Sequence, residues 1–192
     1  MVPPQALKMV PGTISEMVPG TISSRRGFLA ALPAMVLVPG VAVAADRRGF
    51  VLPNDGGEVV LYGSRRSPVR IKVDSTADPA TALSMITQDI APGEGVPVHL
   101  HEREDEICLV RSGEGVATLG DERVPVKAGT TIFVPRGTWH GVENTGAAVI
   151  EWVGIYSPAG FEGYFKEIAK PVVRTAAERE ALDRRFGIRY RR

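Results

Sequence analysis

Short apolar stretches separated by turn residues fill the chain from residue 50 to about residue 156. Several of these stretches alternate polar and apolar positions, which is typical of strands with one buried face. Residues 120–122 (Gly-Asp-Glu) lie between two such stretches and predict a hairpin. Many short strands with Gly-rich turns indicate an all-β sandwich or barrel. The candidate strands cover 58–62, 70–73, 83–87, 116–119, 123–126, 131–134 and 149–153.

Beyond Pro158 the spacing of the apolar residues changes to the helical period. The residues at helical spacing are Phe161, Tyr164, Phe165 and Ile168, and Pro171 follows them. A second helix is predicted by the capping-box sequence of Thr175 and Glu178, with Gly187 at its end. We expect both helices to pack on the outside or at one end of the β-structure. The aromatic stripe is expected to serve packing rather than ligand contact.

The first 44 residues have the layout of an export signal. Arg25 and Arg26 precede an apolar run over residues 28–45, within which residues 42–44 are small. This order is typical of the charged region, apolar region and cleavage site of a signal peptide. The paired arginines followed by Phe-Leu resemble the twin-arginine type, so we expect cleavage after Ala44 and a periplasmic or secreted mature protein. The alternative is an uncleaved membrane anchor, but the run is of marginal length and two prolines interrupt it.

A short duplication precedes this signal, because residues 9–15 are repeated as residues 17–23. Two copies are too few for a repeat architecture. The duplication is therefore not part of the predicted fold. Met17 is a candidate start of the protein, beside Met1 and Met9.

The charge of the chain excludes one class of partner. Lys and Arg number 23 against 22 Asp and Glu, which gives a formal net charge of +1. The leader holds three basic residues and one acidic residue, so the mature domain is close to neutral. Such a domain lacks the concentrated basic face of a nucleic-acid binder, and the basic C-terminus is expected to be a solvated tail. Cys108 is the only cysteine, which excludes an internal disulfide.

The histidines supply the candidate chemistry, and the chain contains only three of them. His99 and His101 are separated by one residue, so on a strand both imidazoles point to the same face and can hold one metal ion. His140 is the third. Glu106 ends an acidic stretch and abuts the apolar residues 107–110, so it is the acid best placed to point inward.

Two spaced motifs lie between residues 93 and 144. The first is G-x5-H-x-H-x4-E-x6-G, on Gly93, His99, His101, Glu106 and Gly113. The second, after fifteen intervening residues, is G-x5-P-x-G-x2-H-x3-N, on Gly129, Pro135, Gly137, His140 and Asn144. Together they resemble the two motifs of the cupin family without a departure, and the tail resembles that of quercetin-dioxygenase-like single-domain cupins. The resemblance implies a double-stranded β-barrel, or jelly roll, over residues 45–156 and a short helical tail over residues 157–192.

The resemblance also implies that one divalent metal ion per chain is bound by His99, His101, Glu106 and His140. Ligand type alone does not choose the metal, but loading of a folded precursor before export would favour Fe or Mn over Cu and Zn. Ni, Co, Cu and Zn stay open as alternatives. The leading hypothesis is an oxygenase acting on a small enol, hydroxyl or carboxylate compound, with Glu106 as ligand, as base or as both. The alternatives are a non-redox isomerase or decarboxylase and a small-molecule-binding protein without turnover.

Strand parity extends the prediction beyond the ligands. If Glu106 points inward, Cys108 and Val110 share its face, and Cys108 is expected to be buried. A solvated acidic turn is expected of Glu102, Glu104 and Asp105.

A strand edge in the barrel also predicts association, because unpaired edges need protection. We expect a homodimer in which residues 47–62 lie on the sheet of the partner subunit. No stable membrane anchor is expected once the signal has been removed.

Overall fold

The computed structural model describes residues 49–62, 67–76 and 78–191, so the predicted export signal and the duplication lie outside the described residues. Within these ranges the chain forms eleven strands and two helices. The first strands in chain order are β1 Glu58–Tyr62, β2 Ser67–Val73, β3 Ser84–Ile90, β4 Gly95–His101, β5 Asp105–Ser112 and β6 Glu114–Leu119. The others are β7 Glu122–Lys127, β8 Thr131–Val134, β9 His140–Glu143, β10 Ile150–Ser157 and β11 Ile188–Tyr190.

The strands form two antiparallel sheets. The larger sheet has the order β1-β2-β3-β10-β5-β8, and the smaller has the order β11-β4-β9-β6-β7. The predicted hairpin joins β6 to β7. These two sheets confirm the predicted all-β jelly-roll barrel and place the candidate strands where the hydrophobic pattern indicated.

Apolar side chains from both sheets form the core of the barrel. The cluster consists of Ile90, Cys108, Val110, Ala117, Val126, Val134, Val142, Ile150 and Trp152. Along β5 the inward positions alternate with outward ones, so Cys108 is 1% exposed whereas Ile107 is 42% exposed. The predicted burial of Cys108 is therefore confirmed.

The segment after β10 begins with the helices α1 Glu162–Ile168 and α2 Ala176–Phe186. The predicted capping box is present, since Thr175 and Glu178 bond reciprocally at the start of α2, and Gly187 ends the helix with φ of 66°. After α2 the residues of β11, which the sequence did not predict, pair with β4 in the smaller sheet. The predicted helical tail is therefore only partly helical. Neither helix of the described residues is long and apolar enough to cross a membrane.

Glu162 fastens α1 to the barrel. Its fully buried carboxylate accepts hydrogen bonds from the backbone N–H groups of Ser75 and Gly160, at 2.8 Å each, and from the Ser75 hydroxyl. The aromatic residues of this region join a second apolar cluster with Ile71 and Ile86 of the larger sheet. The helices are thereby held over one part of the barrel interior, as predicted for packing helices.

Candidate metal centre

The four predicted ligands come from three strands and both sheets. His99 and His101 lie on β4, and His140 begins β9, where it pairs in register with His99. Glu106 lies on β5 in the other sheet. All four side chains are buried, and each offers a donor atom to a group whose members lie within 4.8 Å of one another. The structure therefore brings together every residue that the sequence singled out for metal binding.

Three of the separations between the donor atoms fit neighbouring ligands of a single metal ion. Nε2 of His99 lies 3.2 Å from Nε2 of His101, which in turn lies 3.4 Å from Oε2 of Glu106. Nε2 of His140 lies 2.9 Å from the same carboxylate oxygen. Adjacent ligands at about 2.1 Å from an ion lie about 3.0 Å apart in octahedral geometry and about 3.4 Å apart in tetrahedral geometry. Three imidazole nitrogens and one carboxylate oxygen thus match a transition-metal site in both spacing and chemistry.

The electrostatics of the site favour the protonation states that a metal requires. Burial and the neighbouring histidines lower the pKa of His99 to about 3, and burial also lowers the pKa of His101. Burial alone would raise the pKa of Glu106, but hydrogen bonds to His101 and His140 hold that pKa well below its usual range. Neutral imidazoles and an ionised carboxylate are the forms that bind metal ions.

Two of the three imidazoles are oriented by backbone carbonyl groups. Nδ1 of His99 lies 2.8 Å from the carbonyl oxygen of Pro97, and Nδ1 of His140 lies 3.0 Å from that of Thr138. When each Nδ1–H donates to its carbonyl, Nε2 keeps its lone pair for a metal ion. Each carbonyl belongs to the residue two positions before the histidine, so the local backbone sets this orientation.

Glu106 adjoins a group that the sequence did not reveal. The hydroxyl of Tyr156 on β10 lies close to this carboxylate, and burial together with the negative charge of Glu106 raises the pKa of the phenol well above its usual value. Gly154 makes room for the contact, because a Cβ atom there would lie 2.9 Å from the Tyr156 hydroxyl and 3.0 Å from Oε1 of Glu106. Strand β10 pairs with β5 and places Tyr156 opposite Glu106. The position of Tyr156 therefore follows from the strand pairing, and neither sequence motif indicates it.

The acidic turn before β5 differs from its prediction. Asp105 is paired with Arg136, whose Nε lies 3.0 Å from the carboxylate, and Glu102 is exposed, as expected of a solvated turn. Glu104 is instead buried at 6% exposure, and burial raises its pKa to about 7. Glu104 lies just before β5, and its Oε2 is 4.0 Å from Nδ1 of the buried His101, so the carboxylate turns towards this imidazole and away from solvent. Strand alternation does not cover this position, and the sequence pattern therefore did not reveal its burial.

A small cavity adjoins the candidate metal centre. Its free volume is about 30 Å³, and His99, Glu106 and His140 form part of its wall. The remaining wall is mostly apolar and aromatic, with side chains from the barrel and from the tail, among them Val96, Trp152, Phe161, Tyr164, Phe165 and Tyr190. The aromatic residues of the tail therefore pack, as predicted, but they also line the space in front of the metal ligands.

Comparison with known proteins places the barrel in a family. The model of the family described as "Cupin domain" matches residues 86–156. The oxalate-binding protein of Thermotoga maritima is 39% identical over 66 residues, which are 34% of this chain and 54% of that protein. Oxalate oxidase GF-3.8 of Triticum aestivum is 34% identical over 117 residues, 52% of each chain. The matched parts span about half the length of these curated relatives.

A solved structure supports the fold alone. KdgF from a Halomonas species superposes with a TM-score of 0.52 at 19% sequence identity, over 60% of this chain and 99% of that one. All four candidate ligands fall within the segment that matches the family. Residues 86–156 of the chain are a cupin domain, and its interior holds a buried group of three histidines and one glutamate that can bind a metal ion.

Proposed function

We propose that the chain is a metal-dependent oxygenase of the quercetinase-like kind, acting on a small molecule that bears an enol, hydroxyl or carboxylate group. One observation carries the proposal: three imidazoles and one carboxylate converge, buried, beside a small cavity with aromatic walls. Four protein ligands leave two positions free on a six-coordinate ion, which is the open arrangement of a catalytic site. A bound divalent ion would supply Lewis acidity and, as Fe or Mn, redox chemistry towards dioxygen.

The surroundings of Glu106 favour a role as ligand over a role as base. Oε2 lies 2.9 Å from Nε2 of His140 and 3.4 Å from Nε2 of His101. A carboxylate oxygen that faces two imidazole nitrogens at these distances is placed to share an ion with them. We therefore assign Glu106 to metal binding and the aromatic wall to the exclusion of bulk water.

The ligand class follows from the site and the relatives together. Two relatives are named for oxalate, one for binding it and one for oxidising it. A carboxylate is a suitable partner for the open positions of a divalent ion. Oxalate is therefore the first compound to test, beside a flavonol and a β-diketone.

Oxygen uptake by purified, metal-loaded protein tests the proposal. An oxygen electrode should record consumption with at least one of these compounds and none with His140→Ala protein. Product formation without oxygen uptake would contradict the oxygenase and identify a non-redox isomerase or decarboxylase.

The oxalate-binding relative, at 39% identity, favours a second candidate, a protein that binds a small carboxylate without turnover. Calorimetry separates the two. Saturable binding of oxalate to the metal-loaded protein, with the compound recovered unchanged, would support the binding protein.

The metal and the compartment belong to the same proposal. We propose Fe or Mn as the resident ion, loaded before export through a twin-arginine signal, with Ni, Co, Cu and Zn as the alternatives. Replacement of Arg25 and Arg26 by lysine should keep the precursor in the cytoplasm. Unchanged export of the variant would remove the twin-arginine route and, with it, the argument for Fe or Mn.

A homodimer also belongs to the proposal. Strand β1 lies at the edge of the larger sheet, and its residues Val59 and Leu61 are 46% and 40% exposed. Apolar side chains beside a strand edge are suited to a partner subunit. Light scattering at micromolar concentration should give twice the mass of the chain, and a monomer would contradict this part.

A further inference from the structure

The outer nitrogen of His101 differs from those of the other two histidines. Nδ1 of His99 and Nδ1 of His140 each face a backbone carbonyl oxygen at 3.0 Å or less. Nδ1 of His101 is fully buried, and within the described residues it has no hydrogen-bond partner. The His101 ring packs edge-on against Phe161 and Tyr156, whose ring centroids lie 4.1 and 5.4 Å away. The ring is thus fixed by packing while its outer nitrogen lacks an acceptor.

Glu104 supplies the complementary group. Its Oε2 lies 4.0 Å from Nδ1 of His101 and is likewise buried without a hydrogen-bond partner in the described part of the chain. Buried polar atoms are almost always hydrogen-bonded, so two orphaned and complementary atoms side by side point to a contact that closes under another condition. A movement of about 1 Å brings this pair to the 2.7–2.9 Å of a charge-assisted hydrogen bond.

We propose that Glu104 is a positioning residue that accepts a hydrogen bond from Nδ1–H of His101 and so directs Nε2 of His101 to the metal ion. The inference rests on the proposed metal centre, which it deepens. In this arrangement all three histidines donate from Nδ1 and bind through Nε2, two of them held by carbonyl groups and one by a carboxylate. A carboxylate behind an imidazole fixes the tautomer and makes the ligating nitrogen more basic.

Metal affinity of three variants tests the assignment. Glu104→Leu removes the acceptor, Glu104→Gln keeps an oxygen but loses the charge, and Glu102→Gln removes a charge from an exposed side chain of the same turn. Competition with a chelator for Zn²⁺ should show a ten- to hundredfold weaker affinity for Glu104→Leu and a smaller loss for Glu104→Gln. The Glu102→Gln control should bind like the wild type.

Two further readouts separate positioning from simple structural support. Thermal unfolding of metal-free Glu104→Leu should occur at or above the wild-type temperature, because leucine replaces a buried carboxylate whose Oε2 has no hydrogen-bond partner in the described part of the chain. In the Zn²⁺-loaded wild type, ¹⁵N-edited NMR should show a slowly exchanging Nδ1–H on His101, and exchange should be faster in Glu104→Leu. If Glu104→Leu does not fold, the comparison of Glu104→Gln with Glu102→Gln decides the question in the same titration.

The outcomes distinguish this inference from the proposed function. Stoichiometric Zn²⁺ binding by the wild type, with Glu104 variants within twofold of Glu102→Gln, would overturn the role of Glu104 and leave the metal centre intact. Destabilisation of the metal-free Glu104→Leu protein in proportion to its lost affinity would show a structural role and overturn the inference as well. A wild-type protein that binds no Zn²⁺ would overturn both.

Discussion

At the residue scale, Gly154 shows how closely the atoms around the candidate ligands are packed. It lies on β10 opposite Cys108 of β5, and the side chains of Tyr156 and Glu106 both come close to it. Any side chain at this position would enter the space that the phenol and the carboxylate share. The residue thus supports the candidate site without a functional group of its own.

Gly154→Ala should therefore weaken metal binding and destabilise the fold. The added methyl group would lie 2.9 Å from the Tyr156 hydroxyl and 3.0 Å from Oε1 of Glu106, so one of them must move. Overpacking of this kind lowers the free energy of unfolding by about 1–3 kcal/mol. Urea denaturation and chelator competition measure the two effects. Gly49→Ala, where nothing lies within 4 Å of the new Cβ, is the matched control. Wild-type affinity in Gly154→Ala would show that the Tyr156 contact does not orient Glu106.

The buried thiol of Cys108 should react slowly in the native protein. Its side chain is 1% exposed, and burial together with the charge of Glu106 raises the pKa of the thiol well above its usual value. Because the thiolate is the reactive form, labelling of the native protein by a disulfide reagent should be many times slower than labelling in urea. Cys108→Ser should keep its metal content if packing is the only role of the thiol. Rapid labelling of native protein would contradict the inward face of β5 and with it the position of Glu106.

At the scale of elements, the tail is held in place by a few specific contacts. Helix α1 carries aromatic side chains to the cavity, and the carboxylate of Glu162 binds it to backbone N–H groups of Ser75 and Gly160. Strand β11 then pairs with β4, which holds two of the candidate ligands. The tail is therefore part of the candidate site and not an appendage.

Glu162→Ala should loosen this attachment. The substitution leaves two part-buried N–H groups without their acceptor, which costs at most about 1–3 kcal/mol for each group. Urea denaturation should show the lower free energy of unfolding, and fluorescence quenching by acrylamide should reveal greater access to the buried Trp152 beside the cavity. Glu167→Ala, on the same helix but paired with Lys170 at the surface, should change the stability by less than about 1 kcal/mol. Equal effects of the two substitutions would contradict the role of Glu162.

Much of the fold and the site could be predicted because local patterns determine them. Alternation along a strand puts His99 and His101 on one face, and the same rule buries Cys108. The capping box at Thr175 requires only residues close in sequence, and the structure has it. These features depend on the strand and helix periods of the apolar residues and on hydrogen bonds between residues close in sequence. Both can be read from a single sequence.

The features that the sequence did not predict depend on contacts between distant segments of the chain. Strand β11 has three residues, too few to show a period, and it forms only because β4 offers an edge. The contact of Tyr156 with Glu106 arises from the register of β10 on β5, which neither segment specifies alone. Glu104 was expected in a solvated turn because charged residues are seldom buried, and the nearby imidazole of His101 is what makes the exception understandable.

At the scale of the whole molecule, the candidate ligands connect the two sheets. Three of them belong to the smaller sheet and Glu106 to the larger one, so an ion bound to all four would join the sheets across the core. Ligands that bind only the folded state raise its stability by about 2.7 kcal/mol at a concentration one hundredfold above the dissociation constant. Metal loading should therefore raise the unfolding temperature of the entire domain, and removal by a chelator should lower it.

Metal stoichiometry shows whether the four side chains bind one divalent ion. Protein purified without chelator, or stripped and reloaded with Mn²⁺, Fe²⁺ or Zn²⁺, should contain close to one ion per chain by elemental analysis. The His140→Ala variant should retain only a small fraction of that amount while its far-ultraviolet circular dichroism stays that of the wild type. Wild-type protein that remains free of metal after reloading, or a folded His140→Ala variant that still holds one ion per chain, would contradict the account.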